Sequence, residues 1–251
     1  MLVMGILNVT PDSFADGGRH HEFDAAVKRG LEMVAEGVDI IDVGGESTRP
    51  GADRVSQEEE IARTIPVITE LAKHGATISI DTMRASTARA AVNAGAAMIN
   101  DVSGGLADDA MLQTAAELKV PYIAMHWRGQ SKDMSSKAIY SDVVIDVISE
   151  LQERITAALD AGIEVGNLII DPGLGFAKDA EHNWEIIDSI DSFVDLGYPV
   201  LVGASRKRFL GGDSPDEREQ ATIDLTKRLA TTGVWAVRVH SVKPHKEVLA
   251  Q

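Results

Sequence analysis

The sequence predicts a (β/α)8 barrel, the TIM-barrel class of α/β fold, built as one domain over residues 1–251. Three observations carry that expectation. Short aliphatic or β-branched runs alternate with longer amphipathic stretches eight times from end to end. The short runs are almost continuously apolar, as parallel strands covered on both faces must be, whereas half-exposed strands alternate. A length of 251 residues accommodates eight such units with little to spare. A doubly wound open sheet is the alternative that the same alternation allows. No Pro/Ser-rich linker, low-complexity tract or like-charge block divides the chain.

Taken in order, residues 2–7 read as the first strand, ended by turn chemistry at Asn8, Pro11 and Asp12, and 23–35 as the first helix. The second unit pairs a strand at 38–43 with a helix at 57–73, the third 77–80 with 85–93, and the fourth 97–99 with 108–118. A strand at 122–125 and a long helix at 141–161 make the fifth, and 168–170 with 183–193 the sixth. The seventh unit is 200–202 with 217–232, and the eighth is 236–239 with a short helix from Lys243.

Composition excludes several functions. The chain has no cysteine, which removes disulfides, thiol nucleophiles, iron–sulfur clusters and thiolate zinc sites. Its formal charge of −15 argues against nucleic acid or an anionic membrane as principal partner, because phosphates in number need a basic face. An anionic substrate must therefore be met by a local positive cluster. The apolar opening has neither the basic flank nor the small-residue cleavage site of a signal peptide, and no window approaches the roughly 20 apolar residues of a membrane span. A cytoplasmic protein is the expectation.

The residues that follow the strands carry the chemistry. They are Asn8, the Gly-rich segment 44–51, Asp81, Asn100 with Asp101, His126, Asp171, Ser205 to Arg208, and His240 with Arg238 two residues earlier. In a barrel all of these project to the C-terminal face, where active sites of this fold lie. Each also has a plainer reading. Asp171 before Pro172 is a common turn residue, and Asp81-Thr82 a common helix N-cap. His126 reads as a satisfied core imidazole. Ser205 to Arg208 is the densest positive run in an acidic chain and precedes a helix, which suits an anion. No Walker A loop, G-x-G-x-x-G between strand and helix, H-E-x-x-H or G-x-S-x-G is present.

Seven strand-end segments together resemble the dihydropteroate synthase family, the pterin-binding enzymes of folate biosynthesis that sulfonamides inhibit. They are GILNVTPDSFADGG (5–18), DVGGESTRPG (42–51), SIDT (79–82), NDVSG (100–104), DPGLGFAK (171–178), GASRKRF (203–209) and VRVH (237–240). The resemblance spans nearly the whole chain, with the segments in family order.

It implies a transferase that joins 6-hydroxymethyl-7,8-dihydropterin pyrophosphate to 4-aminobenzoate, with magnesium as cofactor, releasing pyrophosphate. It further implies that Asp171, Asp81 and Asn100 read the pterin edge, that Lys207 donates to the carbonyl side, and that Arg238 stacks on the ring, with Phe176 and Met125 as apolar neighbours. Asn8, His240, Arg238, Thr48 and Arg49 are expected about the diphosphate. Phe14, Thr48, Arg49, Pro50, Phe176 and Arg208 are expected about the aminobenzoate. Asn8 is expected to ligate the metal, with Asp16 or Asp12 joining it. A dissociative substitution needs no general base, and none is evident. In the family a carboxylate usually follows the histidine of the last segment, where this chain has Ser241. Dimers are common in the family, with the late helices as the expected contact. Two other readings are a non-catalytic pterin-binding paralogue and a folate-binding methyltransferase barrel.

Overall fold

In a computed structural model, residues 1–10, 18–47, 54–130 and 134–250 are described, and they form eight parallel strands interleaved with helices. The strands are β1 (Leu2–Asn8), β2 (Ile40–Gly44), β3 (Ile78–Asp81), β4 (Met98–Asp101), β5 (Tyr122–Met125), β6 (Leu168–Asp171), β7 (Leu201–Val202) and β8 (Ala236–Val239). Their order in the sheet is 6-5-4-3-2-1-8-7. The ring closes where Ile170 bridges Val200 in parallel and its N–H donates to the Pro199 carbonyl at 3.0 Å. That bridge between β6 and β7 excludes the open sheet.

The helices are α1 (Gly18–Ala35), α2 (Gln57–Lys73), α3 (Ala85–Asn93), α4 (Met111–Leu118), α5 (Val143–Asp160), α6 (Ala180–Asp188), α7 (Ile190–Val194), α8 (Glu217–Leu229) and α9 (Lys243–Leu249). Two expected boundaries shift for visible reasons. The single helix expected over 183–193 begins earlier and is divided. Asp179 caps α6 by accepting the His182 N–H at 2.9 Å, and Ser189 separates α6 from α7. The fourth helix starts at Met111 because Asp108 turns back, with Oδ1 accepting the Ala110 N–H at 3.0 Å and Oδ2 accepting Ala85 N–H at 2.8 Å.

Two apolar layers stabilise the fold. Outside the strands, one continuous core joins them to the helices, with Ile41, Val43, Ile80, Ile99, Ile170 and Val202 facing Leu71, Met111, Leu151 and Phe193. Inside the barrel lies a second cluster of Met4, Ile40, Met98, Ile123, Ile169, Leu201 and Ala236, one residue each from seven strands. Burying each of the larger side chains contributes about 1.5–3 kcal/mol before entropy is counted. These residues plug the barrel at its N-terminal end, and their position determines what can stand above them.

Candidate active site

Side chains alternate across a strand, so the residue two places beyond each plug residue also points into the barrel. Counting on by two gives Asp42 above Ile40, Asn100 above Met98, Met125 above Ile123, Asp171 above Ile169, Gly203 above Leu201 and Arg238 above Ala236. Two further places give Asn8 on β1, Ser205 after β7 and His240 after β8. Registers confirm the layer: Asp81 pairs with both Gly44 and Asn100, and Met125 pairs with Asp171. The barrel interior therefore changes from apolar to polar over one pair of residues at its C-terminal mouth.

Arg238 is the hub of that layer. Its Nε donates to Asp42 Oδ2 and its Nη2 to Asp81 Oδ2, both at 2.6 Å, and Asn100 Nδ2 donates to the same Asp42 oxygen at 3.0 Å. Burial opposes the guanidinium charge, but Asp42 and Asp81 more than offset it and raise its pKa. Burial pushes the Asp81 carboxyl up to about 7, with Arg238 opposing and Asp42 reinforcing. Asp42 itself is fully buried, and no described residue hydrogen-bonds its Oδ1. The result is a flat cation pinned along its edge by two carboxylates, with no freedom to swing away.

Asp171 sits opposite at the end of β6. Its Oδ1 accepts the Gly173 N–H at 2.7 Å, which is the turn-capping role, while no described residue hydrogen-bonds Oδ2. Burial raises its pKa; the Gly173 N–H and the charges of Lys207, Arg238 and Lys178 pull it back. Lys207 lies over the Phe176 ring, 4.6 Å from its centroid, and donates to the Leu174 carbonyl. Its pKa is drawn down to about 8 by burial, with Asp171 opposing and Arg238 assisting. Phe176 packs with Met83, Val102 and Met125 into a small apolar patch beside these polar groups. The turn itself requires glycine: Gly173 has φ of +69°, and a Cβ there would lie 2.4 Å from the His126 carbonyl oxygen.

On the other side of the mouth, Ser205 Oγ accepts the His240 backbone N–H at 3.1 Å and lies 2.9 Å from His240 Nδ1. Ser205 thus holds both the backbone and the ring of His240 and orients the imidazole at the mouth. The next residues form a second rung: Arg206, at φ of +58°, donates from Nη2 to Ser241 Oγ at 2.8 Å and from Nε to Glu219 Oε2 at 2.7 Å. Arg206 therefore bridges Ser241 and the Glu219 carboxylate. Arg208 is exposed on the turn that follows. Asn8 is half-buried at the end of β1, paired with Gly44.

Phe14, Asp16, Asp12, Thr48, Arg49 and Pro50 lie outside the described residues. Both ends of the strand-2 loop are nonetheless tied together. Glu46 accepts from Arg54 Nε at 2.9 Å, Val55 N–H at 3.1 Å and Arg84 Nη2 at 2.9 Å, and Arg84 is held in turn by buried Glu60 at 2.5 Å.

An acidic and amide edge, a pinned planar cation, an apolar patch and a lysine converge over a plugged barrel. The "Pterin binding enzyme" family profile matches residues 4–240. The dihydropteroate synthase of Mycobacterium leprae is 49% identical over 257 aligned positions, covering 98% of this chain and 90% of that protein. The chain belongs to the dihydropteroate synthase family of pterin-binding enzymes. Solved members of the family superpose closely. The Xanthomonas albilineans dihydropteroate synthase with 4-aminobenzoic acid has a TM-score of 0.93 at 44% identity, covering 99% of this chain and 90% of that one. The same enzyme in complex with 7,8-dihydropteroate gives 0.89 at 40% identity, covering 99% and 91%.

Within this family member, the structure brings Asn8, Asp81, Asn100, Asp171, Phe176, Lys207, Arg238 and His240 to one mouth. Sequence reasoning missed Asp42. A lone acid inside the apolar run Ile40-Ile41-Asp42-Val43 was the available signal, since an unpaired carboxylate is not tolerated there. The capping role weighed for Asp81-Thr82 is corrected. Asp108 accepts the first N–H of α3, while Thr82 donates to Glu60 at 2.6 Å. His126 is the buried, satisfied imidazole expected, with Nε2 2.9 Å from Glu150 Oε2.

Proposed function

We propose that this dihydropteroate synthase family member binds dihydropterin pyrophosphate with the ring edge on Asp171, Asp81 and Asn100 and transfers the pterin methylene to 4-aminobenzoate. The observation that carries the assignment is the arrangement of unfilled acceptors around a pinned cation. Asp171 Oδ2, Asp81 Oδ1 and Asn100 Oδ1 have no described protein partner, and Arg238 lies between them. A pterin presents neighbouring N–H donors on one edge and a flat π-face, so carboxylates suit its edge and a fixed guanidinium suits its face. Lys207 meets the carbonyl side, with Phe176 and Met125 against the ring.

The diphosphate extends toward His240 and Arg238. His240, oriented by Ser205, meets a phosphate oxygen, and the positive charge of Arg238 favours the developing charge on the leaving group. Thr48 and Arg49 join from the strand-2 loop. Among the described residues there is no group of three or more His, Asp or Glu able to hold a metal. A single amide at Asn8 fits magnesium, which keeps water and phosphate oxygens as ligands, and Asp16 is a further candidate. When bound there, the ion would neutralise charge on the diphosphate.

The reaction is a dissociative substitution. The methylene carbon–oxygen bond breaks, pyrophosphate leaves with the electron pair, and the cation delocalises into the dihydropterin ring. The neutral aromatic amine then attacks that carbon and loses a proton to the departing pyrophosphate. Arg49, Pro50, Phe14 and Arg208 are assigned to aminobenzoate. No described helix is long and apolar enough to cross a membrane, in keeping with the cytoplasmic placement proposed here. The assay is direct: purified protein with both substrates and magnesium should form dihydropteroate and pyrophosphate in equal amounts, and no product at micromolar protein would overturn the reading.

A further inference from the structure

One half-buried cation takes no part in the chemistry above. Lys178 Nζ lies 2.8 Å from His126 Nδ1, 3.1 Å from the Gly173 carbonyl and 3.1 Å from the Phe176 carbonyl. An ammonium has three protons, and here each has one acceptor. The acceptor state of His126 is set from behind: Glu150 Oε2 at 2.9 Å takes the Nε2 proton, leaving the Nδ1 lone pair for the lysine. Glu150 is itself gripped by Arg128. Arg128 stacks 3.8 Å over the Tyr140 ring, and the Tyr140 hydroxyl donates to the Ala177 carbonyl at 2.9 Å.

What these contacts surround is the turn from Asp171 to Lys178. Gly173 and Gly175 are left-handed at φ of +69° and +76°, and so is Ala177 at +47°, where a side chain is unfavourable. Such a backbone persists only where its surroundings over-determine it. The carbonyls on either side of Leu174 and Gly175 are both drawn to one ammonium, and this fixes the two ends of the turn. Burial lowers the Lys178 pKa to about 7, Asp171 opposing, with Lys207 and Arg128 acting in the same sense as burial. The cation is thus costly to keep, as expected of a group retained for geometry.

We propose that Lys178, seated on His126, is a positioning residue that aims the Asp171 carboxylate and the Phe176 ring at the pterin. The inference rests on the pterin reading of this mouth. Lys178→Met keeps the length and removes the donors, and Lys178→Arg keeps the charge but cannot place three protons on three converging acceptors. Both variants should weaken binding of the unreactive probe 6-hydroxymethylpterin and raise KM for the pterin pyrophosphate by about tenfold or more, Met more than Arg. KM for 4-aminobenzoate should rise several-fold less, because Phe176 is the one expected aminobenzoate neighbour that Lys178 holds, a split that general loosening of the fold would not produce.

A folded variant of either kind that binds the probe as tightly as the parent would overturn the inference alone. Failure of the parent protein to bind the probe would overturn the pterin reading and this inference with it. If Lys178→Met does not fold, Lys178→Arg decides the matter by the same split.

Discussion

Arg238 Nε donates to Asp42 Oδ2 at 2.6 Å although 196 residues separate the two in the chain. The contact exists because β8 and β2 flank β1 and both residues stand one pair above the apolar plug. It converts two isolated charges in a buried layer into a pinned plane, with Asn100 and Asp81 completing the hydrogen bonds. Pairs of this kind are weak sources of net stability, yet breaking one is expensive because the remaining charge is left without its partner.

Asp42→Ala should therefore cost about 3 kcal/mol of unfolding free energy and release the guanidinium from its plane. Urea denaturation checks the first part, and pterin affinity the second. A variant within about 0.5 kcal/mol of the parent would contradict the assignment, since that is the size of a neutral surface change.

Asp171→Asn leaves an oxygen for the Gly173 N–H and turns an amide N–H₂ toward the incoming ring. Donor would then face donor. Pterin affinity should fall about 100-fold, or roughly 3 kcal/mol, as for loss of a charged hydrogen-bond partner. Calorimetry with 6-hydroxymethylpterin measures it.

Ser205→Ala removes the group that orients the His240 imidazole. The substitution should lower kcat/KM for the pterin pyrophosphate about tenfold, comparable to loss of other outer partners of a histidine. Affinity for 6-hydroxymethylpterin, which has no phosphate, should not change. Equal losses with both compounds would place Ser205 in the ring site.

The contribution of His126 to stability should fall as acid enters the histidine range, while Asp81, whose carboxyl is raised by burial to about 7, contributes in the opposite sense over the same range. Burial lowers the His126 pKa to about 4, Lys178 acting in the same direction and Glu150 against it. Between the ordinary histidine value of about 6.5 and 4, the unfolded chain binds the proton and the folded one does not, so this contribution is lost as pH falls through that window. The His126 contribution approaches about 3 kcal/mol, so the difference in stability between the parent and His126→Gln should change by about that much across the window. Glu150, held down to about 2 by His126 and Arg128 against the opposing effect of burial, adds its own loss only below about 4.5, so the two phases separate. Urea midpoints across pH 4–7 measure the effect.

Much of this is legible in the amino-acid sequence. Continuous apolar runs revealed the strands, and the polar residues that end them marked the mouth, because a chain leaving a plugged barrel must turn polar. Asn100, Asp171 and His240 follow or end their strands in this way, and Arg238 is marked by standing two residues before His240. Asp42 is not marked, because it lies inside a run and its partners come from β4 and β8. Lys178 was quoted only as the end of a motif. Its role depends on the left-handed turn that folds its side chain back over residues 173 and 176, and on a histidine 52 residues away. Helix ends set by distant residues, such as Asp108 acting on Ala85, were hidden for the same reason.

The central claim is that the pterin edge is read at this mouth by Asp171, with Asp81 and Asn100 beside it and Arg238 across the ring. A crystal structure with 6-hydroxymethyl-7,8-dihydropterin tests it most directly. The predicted result is two ring N–H donors within hydrogen-bond distance of the Asp171 carboxylate and the ring plane lying against Arg238. A ring whose donor edge faces away from Asp171, or one bound elsewhere on the protein, would contradict the account.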